Sequence, residues 1–147
     1  MAINRIVVRG EGVREERLAA AEIYPGELVL VDSAGKFNVH GTEGGEALRC
    51  FAIEDSLQGN PTSTAYAAGK LVQAKYMKSG DKVMAMLKAG VDVVIGEQLI
   101  SDGDGTLVGA SDITSGGTVN DVIGVADEAK DLTATGAANT LIKIIVK

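Results

Sequence analysis

Residues 70–88 read KLVQAKYMKSGDKVMAMLK, two alternating runs on either side of Lys78-Ser79-Gly80-Asp81. In the first run Val72, Ala74 and Tyr76 fall on one side of an extended chain, with Gln73 and Lys75 on the other. In the second, Val83, Ala85 and Leu87 share a side. Period two is what a strand with one buried face requires, so the spacing predicts two strands joined as a hairpin across the Ser-Gly turn. Met84 and Met86 lie on the opposite side of the second strand. That side is either covered by another layer or serves as an adaptable contact patch.

The same punctuation extends outward. Tyr24-Pro25-Gly26 predicts a turn into ELVLV (27–31), a short buried-strand run. Residues 33–45 read as a turn, a few extended residues and another turn, and 48–53 as a strand. LQGNPTSTA (57–65) is a polar loop in which the residue before Pro61 is kept out of helix. VIGVA (122–126) and NTLIKIIVK (139–147) read as strands, the latter with Ile142, Ile144 and Val146 inward and Lys143 and Lys147 outward. Two short helices are expected, two turns over 13–21 and one over 63–68. There is no internal repeat and no alternation of strand and helix that would build a parallel sheet. The chain is 46% hydrophobic, holds 19 glycines and has only two Phe, three Tyr and no Trp, so its apolar content is aliphatic and broken by turn-formers. The expected fold class is mainly β: a small β-barrel or β-tulip-like domain with short helices and an extended N-terminal arm. Residues 1–20 form the arm and 21–147 a single β-rich domain.

Charge narrows the partners. A formal net charge of −6 repels phosphate backbones and anionic lipid, so neither nucleic acid nor a membrane is expected to bind. The opening MAINRIVVRGEG has three consecutive apolar residues before Arg9, too few for the core of a signal peptide, and a single cysteine fits synthesis in a cytoplasm. Four of the five arginines, Arg5, Arg9, Arg14 and Arg17, lie in the first seventeen residues beside the apolar set Ile3, Ile6, Val7 and Val8. Five of the nine lysines fall between 70 and 88, whereas 91–131 holds nine acids and one lysine. Either these are two solvated faces, or copies of the chain meet through opposite fields.

The best candidate for chemistry is LISDGDGTLVG (99–109). A calcium loop starting at Asp102 would need Gly at its sixth position and Glu at its twelfth, where Leu107 and Ile113 stand. Asp-Gly occurs twice between apolar pairs, so the stretch reads as a hairpin turn. Gly69-Lys70 and Gly35-Lys36 lack the rest of a phosphate loop, and Ser115-Gly116-Gly117 lacks the surroundings of a nucleophile elbow. His40, the single histidine, reads as a surface turn residue, and Cys50 as a small side chain packed in a strand. No catalytic residue, cofactor or metal ligand is expected.

Three stretches carry a resemblance: PGELV (25–29), AGKLVQAKYMKSGDKVMAMLKAGVDVVIGEQLISDGDGTLV (68–108) and VIGVADEAKDLTATGAANTLIKIIVK (122–147). Their order resembles the head-decoration, or capsid cement, proteins of tailed bacteriophages over residues 20–147. The resemblance implies a homotrimer of a β-rich domain on the outer surface of the virion. It would bind the major capsid protein at local threefold sites and stabilise the head, with an N-terminal segment that orders against the shell. Arginine's planar fork suits carboxylates and an extended segment can add to a sheet edge. The expected capsid-binding residues are therefore Ile3, Arg5, Ile6, Val7, Val8, Arg9, Arg14 and Arg17. The segregated charge points to Lys75, Lys82, Met84, Met86, Asp102 and Asp104 as contacts between copies. The competing readings are a small β-barrel enzyme or ligand-binding subunit, whose acids converge only in the fold, and another virion part such as a tail-tube or head-completion protein.

Overall fold

A computed structural model describes residues 5–114 and 117–147. At its centre five strands close on themselves: β7 (Lys82–Leu87), β10 (Leu107–Gly109), β9 (Gln98–Ser101), β11 (Gly124–Ala126) and β13 (Thr140–Val146), the last pairing back to β7. β13 supplies most of the closure, running antiparallel to β7 from Thr140↔Leu87 to Ile145↔Lys82. Alternation fills the lumen. Val83, Ala85 and Leu87 of β7 meet Ile142, Ile144 and Val146 of β13, with Leu99, Leu107, Ile123 and Phe51 completing a dry interior. The inward and outward residues of both long strands are those that period two predicts.

The far edge of β7 is shared. β1 (Val7–Arg9) pairs with its beginning, Val7↔Val83, and β10 runs parallel to its end, Leu107↔Leu87. Between them Gly26 fills the gap, its carbonyl accepting the Met86 N–H at 2.9 Å while its own N–H donates to Ala52 O at 2.8 Å. Gly26 has φ +95°, and a β-carbon there would lie 2.4 Å from Leu141 Cδ2 and 3.1 Å from Met84 O. Gly26→Ala therefore combines a left-handed penalty with a clash that displaces the Leu141 side chain and a tight contact with the Met84 carbonyl. An increase in unfolding midpoint would contradict this reading; the expected change is a loss of about 2 kcal/mol in chemical denaturation.

A second layer covers one side of the barrel. β2 (Val13–Leu18), β6 (Leu71–Tyr76) and β5 (Cys50–Ala52) form an antiparallel sheet, and β3 (Val29–Val31) pairs with β4 (Phe37–Val39). β5 lies between two cores because its side chains alternate. Phe51 enters the barrel, while Cys50 and Ala52 join Ile23, Phe37, Tyr66, Val72 and Ala74 in a second cluster. Burial there pushes the Cys50 thiol up to about 12, which leaves it protonated and unreactive. Arg49, just before β5, ties the layers together. Its guanidinium grips both Asp121 carboxylate oxygens, at 2.6 and 2.8 Å, and the Lys147 and Val122 carbonyls at 3.0 and 2.9 Å. β8 (Asp92–Val93) and β12 (Lys130–Asp131) form a small outer pair. Among the described residues no helix is long and apolar enough to cross a membrane.

Four expectations are corrected. Residues 70–88 are not a hairpin: β6 pairs with β2 and β5, and β7 with β1, β10 and β13. The chain crosses from one sheet to the other at Met77, which is buried in the barrel cluster and donates its N–H to Arg49 O at 2.8 Å. The helix expected over 13–21 is strand β2, where Arg14–Glu16 and Arg17–Glu15 ion pairs join residues two apart, neighbours on a strand face but not on a helix. The turn expected over 63–68 is not helical, since Tyr66 bridges to Ile23. The single helical turn among the described residues is Ala110–Asp112. In the run 27–31, Leu30 and Val31 of β3 are exposed, because β3 pairs only with β4 and lies over the cluster on one side.

The boundary expected at residue 20 also has no counterpart. Ile6 is fully buried, β1 completes the wall beside β7, and β2 makes six register pairs with β6. Residues 5–20 are thus woven into the fold they were expected to extend from.

Candidate functional site

β1 ends its sheet, with β7 on one side and no strand on the other among the described residues. Facing that edge is the outer surface of β2 and β6, where Arg14 stands opposite Lys75 in register. Between them lies a cleft of about 400 Å³ lined by Arg5, Val8, Arg9, Arg14, Glu54 and Lys75, with Val7, Gly10, Ile53 and Ser56. Four cations therefore converge on a surface that is acidic overall. Glu54 is partly committed, since one of its carboxylate oxygens accepts the Ile6 N–H at 2.9 Å. Arg14 is partly committed too, donating to Glu16 Oε1 at 2.8 Å and Gln73 Oε1 at 2.6 Å. Among the described residues Arg5, Arg9 and Lys75 take part in no ion pair. Asp81, beside Gly10, accepts the Lys78 N–H of its own turn at 2.9 Å.

Of the residues expected to bind a capsid, Arg5, Val7, Val8, Arg9 and Arg14 come together at this cleft; Ile3 lies outside the described residues. Two others do not join them. Ile6 points the other way, packed with Ile53, Met84, Met86 and Leu141. Arg17 is on the opposite face of β2 from Arg14, donating to Gly35 O at 3.0 Å. Lys75, expected as a contact between copies, is brought to this cleft by the β2–β6 register, and Glu54 is not among the expected contact residues.

The contacts expected between copies are largely spent within the chain. Met84 and Met86 are buried beneath Ile6, because the segment before β1 covers the outer face of β7. Lys82 pairs with Asp127 at 2.9 Å, and Lys88 with Asp102 at 2.6 Å. Two of the five lysines in the basic stretch thus meet carboxylates of the acidic stretch inside one molecule. Lys82 holds the Asp127 carboxyl below its usual range. Asp102, by contrast, is raised, since burial of its carboxylate outweighs the Lys88 ammonium.

Asp102 and Asp104 stand in a hairpin turn, as their dipeptides predict. β9 and β10 pair antiparallel on either side, Leu107↔Ser101, and Asp102 N–H donates to Thr106 O at 2.9 Å. Gly103 and Gly105 both take positive φ, and Asp104 Oδ1 accepts the Thr106 N–H and hydroxyl. The two carboxylates serve different neighbours and do not converge. His40 departs from expectation. It is buried at the end of β4, with Nδ1 2.6 Å from Ser101 Oγ and Nε2 donating to Glu46 O at 3.0 Å, so it joins three segments instead of standing at the surface.

No protein-family model matches the chain, and no curated protein matches it. Among solved structures the fold is similar to that of the head fiber gp8.5 N base in bacteriophage phi29, with a TM-score of 0.57 over 93% of this chain and 95% of that one. Sequence identity is 17%, so the likeness is one of fold.

Proposed function

We propose that this chain is a structural protein of a bacteriophage virion that binds the outer surface of the capsid through the major capsid protein and stabilises the head. The observation that carries this reading is the fold likeness to a phage head fiber base, which spans nearly the whole of both chains. The sequence resemblance to capsid cement proteins points the same way from independent features. The packing agrees with a role in binding: the lumen of the barrel is filled by apolar side chains, and charged groups gather on an outside cleft. In this reading the protein acts as a trimer. Lys82, Lys88, Asp102 and Asp127 are paired within the chain, so copies would meet through exposed apolar side chains such as Val94 and Ile95 on one loop, or Leu18 and Leu71 opposite each other on the β2–β6 sheet.

Electron microscopy of tailed-phage heads incubated with the purified chain tests the reading, with sedimentation of the free protein alongside. Threefold density on the outside of the shell is expected, and a trimer that persists at high salt because exposed ion pairs contribute little to it. Bare heads at saturating protein, or stacking of the chain into tubes, would overturn the capsid reading. Monomers both in solution and on the shell would overturn the trimer.

A further inference from the structure

We propose that the cleft between the free edge of β1 and the outer face of β2 and β6 binds an extended acidic segment of a partner polypeptide, and that on the virion this segment belongs to the shell protein. Only the second half rests on the capsid reading above. The first half rests on three features of the cleft. Arg5, Arg9 and Lys75 have no acidic partner among the described residues, while Glu54, the one carboxylate in the lining, is held by the Ile6 N–H. In a chain of net charge −6, a wall where four cations outnumber the single Glu54 carboxylate is an electrostatic address for acidic groups. The edge of β1 supplies the second feature: among the described residues its outer side has no strand beside it, so a partner in extended conformation can continue the sheet through its own backbone. The third is Val8, half exposed in the middle of β1, which gives an apolar contact between the flanking arginines.

Together these favour a peptide over nucleic acid. Residues on an added strand alternate in direction, so every second acidic side chain of the partner points back at Arg5, Arg9, Arg14 and Lys75, while those between face solvent. No aromatic ring lines the cleft to stack a base, and the remainder of the surface repels a phosphate backbone.

A fluorescein-labelled peptide of alternating Asp and Val, and the same peptide with Asn in place of Asp, are titrated with the full chain and followed by anisotropy. Binding of the Asp peptide is expected, weakening at least about tenfold as salt is raised from roughly 0.05 to roughly 0.5 M, with no binding of the Asn peptide. The triple variant Arg5→Gln, Arg9→Gln, Lys75→Gln, whose side chains hold nothing inside the fold, should melt as the unaltered chain does and bind the Asp peptide about tenfold more weakly. Lys36→Gln, remote from the cleft, should leave binding unchanged. Equal binding of the two peptides, unchanged binding by the triple variant, or displacement of the peptide by a single-stranded oligonucleotide at a lower concentration than by unlabelled peptide overturns the proposal.

The triple variant also enters the capsid assay. Normal decoration despite lost peptide binding overturns the assignment of the segment to the shell, while capsid binding stands. Absent decoration by either chain, with cleft-dependent peptide binding retained, overturns the capsid reading and supports the cleft.

Discussion

A chain lacking residues 2–18 is expected to lose its cooperative unfolding transition. An independent arm would come away without consequence, but this segment is a structural part of both sheets. Deletion removes Ile6, fully buried over Met84, Met86 and Leu141, and opens the outer face of β7 to water. Loss of a buried isoleucine side chain alone costs about 2–5 kcal/mol, against a total stability of about 5–15 kcal/mol for an ordinary domain. The deletion also removes β2, whose six register pairs protect one edge of β6, and the Arg14 bond to the buried Gln73 side chain. Two unprotected strand edges and an uncovered apolar face point to aggregation as well as unfolding. Circular dichroism on heating, with a dye that reports exposed apolar surface, reads the outcome. Ile6→Ala gives the graded version, a lower midpoint in a chain that still folds. A truncated chain that melts within a few degrees of the intact one would restore the independent arm.

What was legible in the sequence follows from what period two encodes. Alternation reports which side of a strand is buried, so the inward residues of β7 and β13 and the hairpin between β9 and β10 could be read residue by residue. Alternation carries no information about which strand lies alongside, and the apparent hairpin of 70–88 failed there: Met77 carries the chain from one sheet into the other. β2 was mistaken because VREERL is rich in good helix formers, and pairing with β6 outweighed that local preference. The signal that could have corrected it was charge at spacing two, with Arg14 and Glu16 on one side and Glu15 and Arg17 on the other. The candidate site was half visible. Clustered arginines near the start announced Arg5, Arg9 and Arg14, but Lys75 and Glu54 come from elements far along the chain and meet them only through the fold. His40 was hidden for the same reason, since its ring partner Ser101 lies sixty-one positions away.

Glu27 makes stability depend on pH in the direction opposite to that of most carboxylates. It sits beside Gly105 in the Asp102–Thr106 turn, nearly inaccessible, with one oxygen accepting the Tyr24 N–H at 2.9 Å. Burial pushes its carboxyl up from 4.5 to about 7; the Tyr24 hydrogen bond opposes that, and Asp104 and Glu22 add repulsion. Between those two values the folded chain holds a proton that the unfolded chain has released, so stability falls as pH rises through that window and the loss is complete above about 7. A shift of that size corresponds to about 3.4 kcal/mol, or roughly 7–14 °C in melting temperature for a domain of this length. Glu27→Gln retains an acceptor for the Tyr24 N–H and abolishes the charge. The variant should therefore melt higher than the unaltered chain at pH 8, match it closely at pH 4.5, and show a flatter profile between, with the raised Asp102 carboxyl leaving a smaller slope of the same sign. Asp121 and Asp127, held low by Arg49 and by Lys82, act in the other direction and only in more acidic solution, so they leave this window clear. A variant that melts lower than the unaltered chain at pH 8 would mean that the Glu27 carboxylate is stabilised where it lies, by a cation or a hydrogen-bond donor that outweighs burial.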